Sequence, residues 1–598
     1  MGFPAKGSAG AGIGSIVTFG DVSRSDLFRA FSILVFAWAG VPARAEAVLP
    51  ALSGEGAQQL QGQRERPTWQ SRSQVSDARL RGGPGSAAKS LPADERPCFA
   101  IHRIVLSGAM AERFVWVVRD AHRMRDGRRD PWQGRCLGSR GLNILLGRMQ
   151  DALVARGLIT TRIVVAPQSL TRGVLHLLVV PGTLRALRSD GKPGPRNELR
   201  GAVPIRPGDV LNVRDIEQGL ENLRRLPTVR AGVRIEPAGG PGATAGQSDV
   251  VIAREQSFPL RLNASVDNSG TKDTGIYNGS VTLSADDLLG LNDAVYVNAT
   301  HDMGGGNATA KGAQSRILHV EVPFGYWMLG ATASASSYFL TVASAAAPGL
   351  FSGETGSTQI TLSRVVQRGQ ATKATISGQL WEQHSRNFID GTQIPLQRRQ
   401  EAGWQLGAVG RLILGRAVLD ADCSWKQGTG AGGALPAPEQ AAGLGTSRVR
   451  ILTAGTSLLD RFKFGHQQLQ YSLTVRGQWN GTPLAPLDRF AIGGRYTVRG
   501  FDGTETLAGD RGWTVRNELS LALPALAAQL YAGLDHAEVG GPNARYLVGT
   551  RLTGAVLGLR GSLPRGVSYD VSMGIPVSKP AGFITARQSF AFTLSVSI

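Results

Sequence analysis

The sequence predicts a transmembrane β-barrel of about 16 antiparallel strands, preceded by two small α+β domains. Residues 257–598 consist of segments of about ten residues in which apolar and small or polar side chains alternate, separated by Gly, Asn and Asp turns. Residues 98–256 hold two successive patterns of strands and helices, and the N-terminus carries an export signal. These three observations fix the order of the predicted elements along the chain.

The N-terminal segment has the parts of a secretory signal peptide. Arg24 and Arg29 precede the apolar run of residues 30–39, and a small-x-small cleavage motif ends at Ala45. The run is shorter than the roughly 20 residues that a helix needs to span about 30 Å of hydrocarbon. We therefore predict that residues 1–45 are removed after export.

The charge balance does not indicate a nucleic-acid-binding protein. The chain has 65 basic and 45 acidic residues, a net charge of +20, but its arginines are spread along the chain. No motif combines aromatic and basic residues in the way that nucleic-acid recognition requires.

An exported protein reaches an oxidising compartment, where its three cysteines can form disulfides. A bridge between Cys98 and Cys136 would close a loop of moderate length and contribute about 3–4 kcal/mol in the chain-entropy model. Cys423 would then remain as a buried free thiol. No Cys/His cluster has the spacing of metal ligands, so neither a metal nor another cofactor is expected.

Residues 46–97 are polar and rich in Gly, Gln, Arg and Ser. Residues 49–66 could form one weak helix that ends at Pro67, although glycines 54, 56 and 62 weaken it. From residue 68 onward the segment has the composition of a linker.

Residues 98–182 predict the first α+β domain. A strand is predicted in FAIHRIVL, and two more in TTRIVVAP and GVLHLLVVPG. Between them, apolar residues recur at helical spacing, and Gly157 lies where a helix C-cap is expected. The members of that helical stripe are Leu142, Leu145, Leu146, Met149 and Leu153.

Residues 183–256 repeat a similar pattern and predict the second domain. Asn212 can cap a helix that carries Ile216, Leu220 and Leu223, and Pro227 follows its last turn. VRAGVRIEPAG and SDVVIAREQ are the predicted closing strands.

In residues 257–598 the alternation continues to the end of the chain. In SFAFTLSVSI, one face carries Phe590, Phe592 and Ile598, while the other face is small and polar. A soluble core does not need such a polar face over hundreds of residues, whereas a barrel in lipid needs an apolar outside and a polar lumen. A soluble β-sandwich or β-helix is the competing interpretation.

The loop GGRYTVRGFDG, residues 493–503, combines four glycines with aromatic bulk and two arginines. In a barrel of this size it can fold back into the water-filled lumen, because its glycines permit a tight backbone. Arg499 would then need an acceptor, and the alternation in LYAGLDHAEV turns Asp535 inward. We expect a bidentate Arg499–Asp535 pair; Asp510 and Glu518 are weaker alternatives.

These residues also carry a family resemblance. GGRYTVRGFDGTETLAGDRGWTVRNEL resembles the signature of the outer-membrane transporters of two-partner secretion, often called TpsB proteins. PCFAIHRIVLSG and GRCLGSRGLNILL resemble their first POTRA domain, with the paired cysteines 98 and 136 of the haemolysin-activator branch. The resemblance covers residues 97–598. The residues that resemble the re-entrant loop motif of the wider superfamily, which includes the barrel-assembly machinery, are Val498, Arg499, Gly500 and Phe501.

The resemblance implies a bacterial outer-membrane machine in several parts. Residues 46–97 would supply a helix that can plug the pore, residues 98–182 and 183–256 two periplasmic POTRA domains, and residues 257–598 the barrel. Its cargo would be one large, unfolded β-helical exoprotein of adhesin or haemolysin type, captured through an N-terminal secretion domain. Export would need no ATP, and haemolysin activators also activate their cargo.

Capture by strand addition is suited to an exposed sheet edge in the first POTRA domain. The residues of the predicted edge are Arg162, Ile163, Val164, Val165 and Ala166. Outer-membrane lipid and the barrel-assembly machinery that inserts the protein are the other expected partners. Because Ile598 replaces the usual terminal aromatic residue, recognition by that machinery is expected to be weaker or to depend on Phe590 and Phe592.

Three other functions remain open at this point. An insertase that folds other barrels is the main alternative, but two POTRA-like modules and the specific signature favour the transporter. A passive porin has no need of a periplasmic arm. An enzyme is not expected, since no Ser/His/Asp constellation or acid/base pair has a credible context.

Overall fold

The computed structural model describes residues 79–80, 90–124, 127–190, 199, 201–342 and 349–598. The predicted signal peptide, the plug helix and most of the linker lie outside these residues. No helix within the described ranges is long and apolar enough to cross a membrane.

The first domain places helices against one face of a small mixed sheet. Strand β5 lies between β2 and β4, parallel to β2 and antiparallel to β4, and a short pair, β1 and β3, lies apart. Its elements are β1 (Phe99–Ala100), β2 (Arg103–Ser107), a 3-10 turn (Ala111–Phe114), α1 (Trp116–Asp120), β3 (Cys136–Leu137), α2 (Ser139–Ala155), β4 (Arg162–Val165) and β5 (Val174–Val180).

The predicted helical stripe forms the core of this domain. Leu145, Met149 and Leu153 of α2 are fully buried against the inner face of the sheet, which includes Leu177. Gly157, with φ of +90°, follows the end of α2 in the left-handed conformation that a side chain disfavours.

The single strand predicted in FAIHRIVL is wrong, because the chain forms β1 and β2 with a break between them. The break arises because the amide of Ile101 donates to the carbonyl of Arg135 at 3.0 Å, and that of His102 to the carbonyl of Gly173 at 2.8 Å. A disulfide joins Cys98 to Cys136 beside the β1–β3 pair.

The second domain has a similar plan. Its elements are β6 (Thr183–Asp190), α3 (Val213–Arg224), β7 (Val229–Pro237) and β8 (Gln247–Gln256), with β8 between β6 and β7. Asn212 caps α3, because its side-chain oxygen accepts from the amide of Arg214 at 2.9 Å. The apolar stripe of α3 is buried in the domain core.

The rest of the chain forms the barrel and its loops. Its strands are β9 (Leu260–Asp267), β10 (Asn278–Asp286), β11 (Ala294–Asp302), β12 (Lys311–Phe324), β13 (Trp327–Val342), β14 (Gly349–Arg368), β15 (Thr372–Ile389), β16 (Thr392–Gln393), β17 (Arg399–Leu414), β18 (Ala417–Thr429), β19 (Arg450–Phe464), β20 (Gln467–Asn480), β21 (Phe490–Ile492), β22 (Leu507–Gly509), β23 (Arg511–Leu523), β24 (Ala528–Gly540), β25 (Arg551–Leu563), β26 (Val567–Ser578) and β27 (Ser589–Ser597). Short 3-10 turns lie at Pro395–Gln397, Pro438–Ala442, Pro486–Asp488, Pro524–Leu526 and Pro542–Tyr546.

Sixteen of these strands, all within residues 260–342 and 349–597, close into one antiparallel barrel. The short β16 only extends a hairpin, and β21 and β22 form a separate ribbon. Closure occurs where β27 pairs with β9, from Thr593 opposite Asp267 to Ser597 opposite Asn263. The fold class predicted from the alternation is confirmed.

The two faces of the wall follow the predicted alternation. On β12, Leu318 is 46% exposed on the outer face, whereas its neighbour His319 is 8% exposed on the lumen side. Cys423 is also exposed, so the prediction of a buried thiol is wrong. It lies on the same face of β18 as Trp425, and a barrel turns its apolar residues out toward lipid instead of into a core.

Candidate functional site in the barrel lumen

The chain between β20 and β23, residues 481–510, contains the loop singled out in the sequence. The β21–β22 ribbon carries its tip, residues 493–506, to the inner wall of the barrel. Val498 and Phe501 are buried there, and the ring of Phe501 meets that of Phe583 edge-on at 5.7 Å. The hydrophobic residues of the loop are therefore sheltered inside the barrel.

Arg499 fastens this tip to the wall. Its Nε and Nη2 atoms donate to Oδ2 and Oδ1 of Asp535, both at 2.7 Å, and its own amide donates to Oδ2 at 2.9 Å. Nη1 lies 2.5 Å from Oε2 of Glu518, and Nη2 also donates to the carbonyl of Asn517 at 3.1 Å. Asp535 is fully buried on β24, so this ion pair is shielded from water.

Of the two weaker alternatives for the partner of Arg499, Glu518 contacts it and Asp510 does not. Glu518 on β23 is a second partner of the same guanidinium rather than a substitute for Asp535, and its other oxygen accepts from Arg560 at 2.7 Å. Asp510 lies elsewhere, where its carboxylate accepts from the amides of Leu484 and Asn543.

Close backbone approach lets the tip reach the wall. Gly500 has φ of +108°, and a Cβ there would overlap the carbonyl oxygen of Ile575. On the wall itself, a Cβ at Gly554 would overlap the carbonyl oxygen of Arg499. The β25–β26 register shifts between Thr553 and Gly554, at this point of contact.

Two further contacts hold the ends of the tip. Asp502 accepts from the hydroxyl of Thr585 at 3.0 Å and from the amide of Ala586 at 3.2 Å, both in the loop that joins β26 and β27. Arg495 donates to Asn268 at 3.3 Å and to Thr593 at 3.0 Å, beside the place where the barrel closes. These contacts involve neutral groups or a single carboxylate, so Arg499 makes the densest ionic attachment described for the loop.

A second charged cluster joins the second domain to the barrel. Arg368, at the end of β14, has a nearly buried side chain that donates to Glu221 at 2.7 Å and Gln218 at 2.9 Å. Its Nε lies 3.6 Å from the fully buried Glu217, and Lys373 pairs with Glu221. One face of α3 is thus clamped against the turn between β14 and β15.

The neighbouring turn extends this clamp. The hydroxyl of Tyr326 donates to Asp215 at 2.5 Å, and Asn222 donates to the carbonyl of Gly325 at 2.7 Å. Burial raises the pKa of Asp215 above its ordinary value, although the hydrogen bond from Tyr326 offsets part of the shift. Helix α3 therefore fixes the second domain to the periplasmic mouth, and Thr228 and Arg254 add contacts to Asp286 and Asp287.

The predicted strand edge in the first domain is one residue shorter than expected. Strand β4 ends at Val165, because beyond that residue the side chain of Gln168, and not the backbone, forms the hydrogen bonds to β5. The Gln168 side chain accepts from the amide of His176 and donates to its carbonyl, both at 2.7 Å, and also donates to the carbonyl of Ala166 at 3.2 Å. Arg162 to Val165 remain on the outer side of the sheet.

Sequence reasoning did not find Gly554 or the clamp of Arg368. A glycine on the lumen face of a strand was the available signal for Gly554, and the acidic pair Glu217 and Glu221, four residues apart on α3, was the signal for the clamp. An acidic pair on a helix is more often exposed to water, so its spacing alone does not predict a basic partner. No group of three or more His, Cys, Asp or Glu in the described chain is arranged to hold a metal ion.

Comparison with known proteins agrees with this architecture. Residues 246–561 match the family described as haemolysin secretion/activation protein ShlB/FhaC/HecB. Residues 99–182 match the ShlB-type POTRA domain, and residues 183–237 match a POTRA domain.

Individual relatives are also transporters. The chain is 36% identical over 525 residues to the outer membrane transporter CdiB-2 of Burkholderia pseudomallei, which covers 84% of this chain and 86% of the relative. It is 26% identical over 413 residues to the hemolysin transporter protein ShlB of Serratia marcescens, covering 68% and 70% of the two chains. The solved structure of CdiB from Acinetobacter baumannii superposes with a TM-score of 0.81 at 28% identity, covering 92% of this chain and all of that one.

These matches support the transporter over the insertase and agree with POTRA domains in the periplasm and a barrel in the outer membrane. The chain belongs to the ShlB/FhaC/HecB family of haemolysin secretion/activation proteins, the outer-membrane transporters of two-partner secretion.

Proposed function

We propose that this transporter captures an unfolded exoprotein with its POTRA domains and passes it through the barrel to the cell surface without ATP. The observation that carries the proposal is the attachment of the re-entrant loop by the side chain of Arg499 to Asp535 and Glu518. A loop held by side chains can leave the wall without any change in the strand pairing of the barrel. The lumen could therefore be cleared for an extended chain while the barrel stays closed.

The inner wall suits a moving polypeptide. Small hydroxyl side chains face one another across neighbouring strands, such as Ser334 and Ser357 at 2.9 Å and Ser424 and Thr453 at 2.7 Å. Such a surface offers hydrogen bonds to an unfolded chain as it passes. Folding of the exoprotein outside the cell would then drive export, with no catalytic step by the transporter.

The cargo in this proposal is a large secreted β-helical exoprotein of haemolysin or adhesin type, bound through its N-terminal secretion domain. The match to a haemolysin transporter supports this class. Activation of the cargo during export is the finer part of the proposal. Lytic activity of exported cargo, compared with cargo made without the transporter, tests it.

The proposal divides the chain into a signal peptide (1–45), a plug and linker segment (46–97), two POTRA domains (98–182 and 183–256) and the barrel (257–598). In the membrane the barrel contacts outer-membrane lipid, and the barrel-assembly machinery inserts it. The division predicts that removal of residues 98–255 leaves a pore that conducts ions but exports nothing. Export by the shortened chain would contradict a capture role for this arm.

The decisive experiment compares the native host with and without this chain. Quantitative proteomics of the culture supernatant and of the outer membrane would measure every secreted protein and every barrel together. We expect one large secreted or surface protein to be lost while other barrels keep their abundance. A broad fall in many outer-membrane barrels would overturn the proposal in favour of an insertase.

A further inference from the structure

Strand β4 of the first POTRA domain presents an open edge. It is the outer strand of its sheet, and no other strand in the described part of the chain pairs along its free side. Val164 and Val165 on this edge are 42% and 46% exposed. Unpaired backbone groups beside exposed apolar side chains can accept a further strand. A cargo segment at this edge rests on the proposed function, in which this domain captures cargo.

The unpaired charge near this edge is basic. Residues 152–189 contain five arginines and no acidic residue; Arg156 pairs with Asp120, and Arg185 and Arg188 of the second domain pair with Asp249, which leaves Arg162 and Arg172. The whole first domain, residues 98–182, has 13 arginines, no lysine and five acidic residues. The ratio of basic to acidic residues in this domain is much higher than in the full chain, which has 65 basic and 45 acidic residues.

Two acidic residues of the domain are already paired away from the edge. Asp130 accepts from Arg135 at 2.9 Å and from Arg148 at 2.5 Å, and Asp120 pairs with Arg156 at 3.0 Å. By contrast, Arg162 on β4 donates only to the backbone carbonyls of its own turn, at 2.8 Å and 3.3 Å.

The free arginines lie toward the two ends of the edge. Arg162 lies opposite Val180, at the end of β5. The chain then follows the same side of the sheet to Arg172, which lies in the turn that leads into Val174, the first residue of β5. Neither arginine forms an ion pair with any described residue. Seven residues of β5 at about 3.3 Å each give a length of roughly 23 Å between these charges.

We propose that this edge selects an extended segment of the exoprotein that is apolar in its middle and acidic at both ends. About seven residues would span the edge. The middle residues would pack beside Val164 and Val165, and the terminal carboxylates would face Arg162 and Arg172. A second copy of this chain is a poorer occupant, because pairing two β4 edges antiparallel would bring basic surfaces together.

The test uses the full chain purified in detergent micelles and three fluorescent peptides. The first two alternate valine and threonine in the middle, and the third differs from the first only there. The first has glutamates at both ends, the second has lysines there, and the third keeps the glutamates but has two central prolines that cannot join a β-ladder. Anisotropy at low and high salt measures their binding.

We expect the glutamate peptide to bind about tenfold tighter than the lysine peptide, with the difference shrinking at high salt. Arg162→Glu should abolish or reverse this preference. Arg119→Glu, an exposed arginine on α1, makes the same change of charge away from the sheet and should leave the preference intact. The barrel's heat-dependent gel mobility verifies that the barrel is folded in both variants, and resistance of residues 98–182 to protease verifies the same for the first domain.

Three results would overturn the inference: equal binding of the glutamate and lysine peptides, equal effects of the two variants, or undiminished binding of the proline peptide. Concentration-dependent self-association that Arg162→Glu changes would assign the edge to a second copy instead. Deletion of residues 98–182 separates this inference from the proposed function. If export survives that deletion, the capture role fails; if export is lost while the peptides bind equally, only the charge selection fails.

Discussion

Replacement of Arg499 by alanine tests the role of the re-entrant loop most directly. The change removes a guanidinium that contacts Asp535 through two nitrogens and Glu518 through a third. It leaves Asp535 fully buried, with Arg516 at 3.6 Å as its nearest remaining cation. The loop keeps its apolar contact through Phe501 and its hydrogen bonds through Asp502.

The size of the effect follows from burial. Removal of one partner from a buried ion pair costs about 3–5 kcal/mol, because the remaining charge loses its compensation. Since each 1.4 kcal/mol changes an equilibrium tenfold, the ratio of attached to detached loop should fall about a hundredfold to several thousandfold. Secretion should drop sharply, because the proposed cycle needs the loop to return to its attached position as well as to leave it, while the barrel itself stays in the membrane.

Arg495→Ala is the matched control. This arginine lies in the same loop, but its partners Asn268 and Thr593 are neutral. Loss of such hydrogen bonds costs about 1 kcal/mol and leaves no buried charge unpaired. Secreted cargo, loop accessibility to protease and the amount of folded barrel are measured for both variants. We expect Arg495→Ala to secrete close to normally.

Unchanged secretion by Arg499→Ala, with the loop still protected from protease, would refute the reasoning. The double variant Arg499→Ala/Asp535→Ala makes the test sharper. It removes the uncompensated carboxylate and should restore barrel stability, yet it also lacks the attachment and should not restore secretion. Recovery of secretion in the double variant would mean that the ion pair serves only stability.

Three further predictions concern other parts of the molecule. Gly554→Val places a side chain where the carbonyl of Arg499 now lies, so the loop should detach and secretion should fall as in the arginine variant. Arg368→Ala removes the hydrogen bonds to Gln218 and Glu221, while Glu217 keeps Arg214 at 2.7 Å, and should weaken the clamp by about 1.5–3 kcal/mol, measured as faster hydrogen exchange in α3. The hydrogen bond that Arg185 donates to Asp249 lowers the pKa of this carboxyl. The second POTRA domain should therefore lose stability as pH falls through that lowered pKa.

Each of these predictions has its own control. Gly330→Val introduces the same side chain on the lumen face where the nearest heavy atom would be 3.9 Å away, and should secrete normally. Arg416→Ala removes an exposed periplasmic pair with Asp460 and should leave α3 protected. Asp249→Asn should flatten the acid limb of the stability curve; an unchanged pH dependence would show that another group titrates there.

The sequence was sufficient for the fold because its signals are periodic. A strand repeats every two residues, so the alternation in residues 257–598 identified the barrel and, where it is regular, the face of a side chain. The same rule turned Asp535 inward, toward Arg499. The spacing of apolar residues likewise indicated α2 and α3, and the side chain of Asn212 marked where α3 begins.

Other features depend on registers and contacts that periodicity does not contain. Glu518 on β23 lies opposite Gly533 on β24, and this register sets the position of the Glu518 carboxylate along the barrel axis, beside Arg499. The end of β4 depends on a side chain, Gln168, that reaches back to β5.

What the sequence alone determined is therefore the class of fold, the order of its domains and, where the alternation is regular, the side of the wall that a residue faces. What only the tertiary structure decided is which residues meet. Glu518 shares Arg499 with Asp535, and Arg368 is buried beneath α3, because strand register and domain docking bring together positions far apart in the chain. Local spacing specifies the face of a helix or strand on which a side chain lies. Contacts between elements are set only when the barrel closes and the second domain docks.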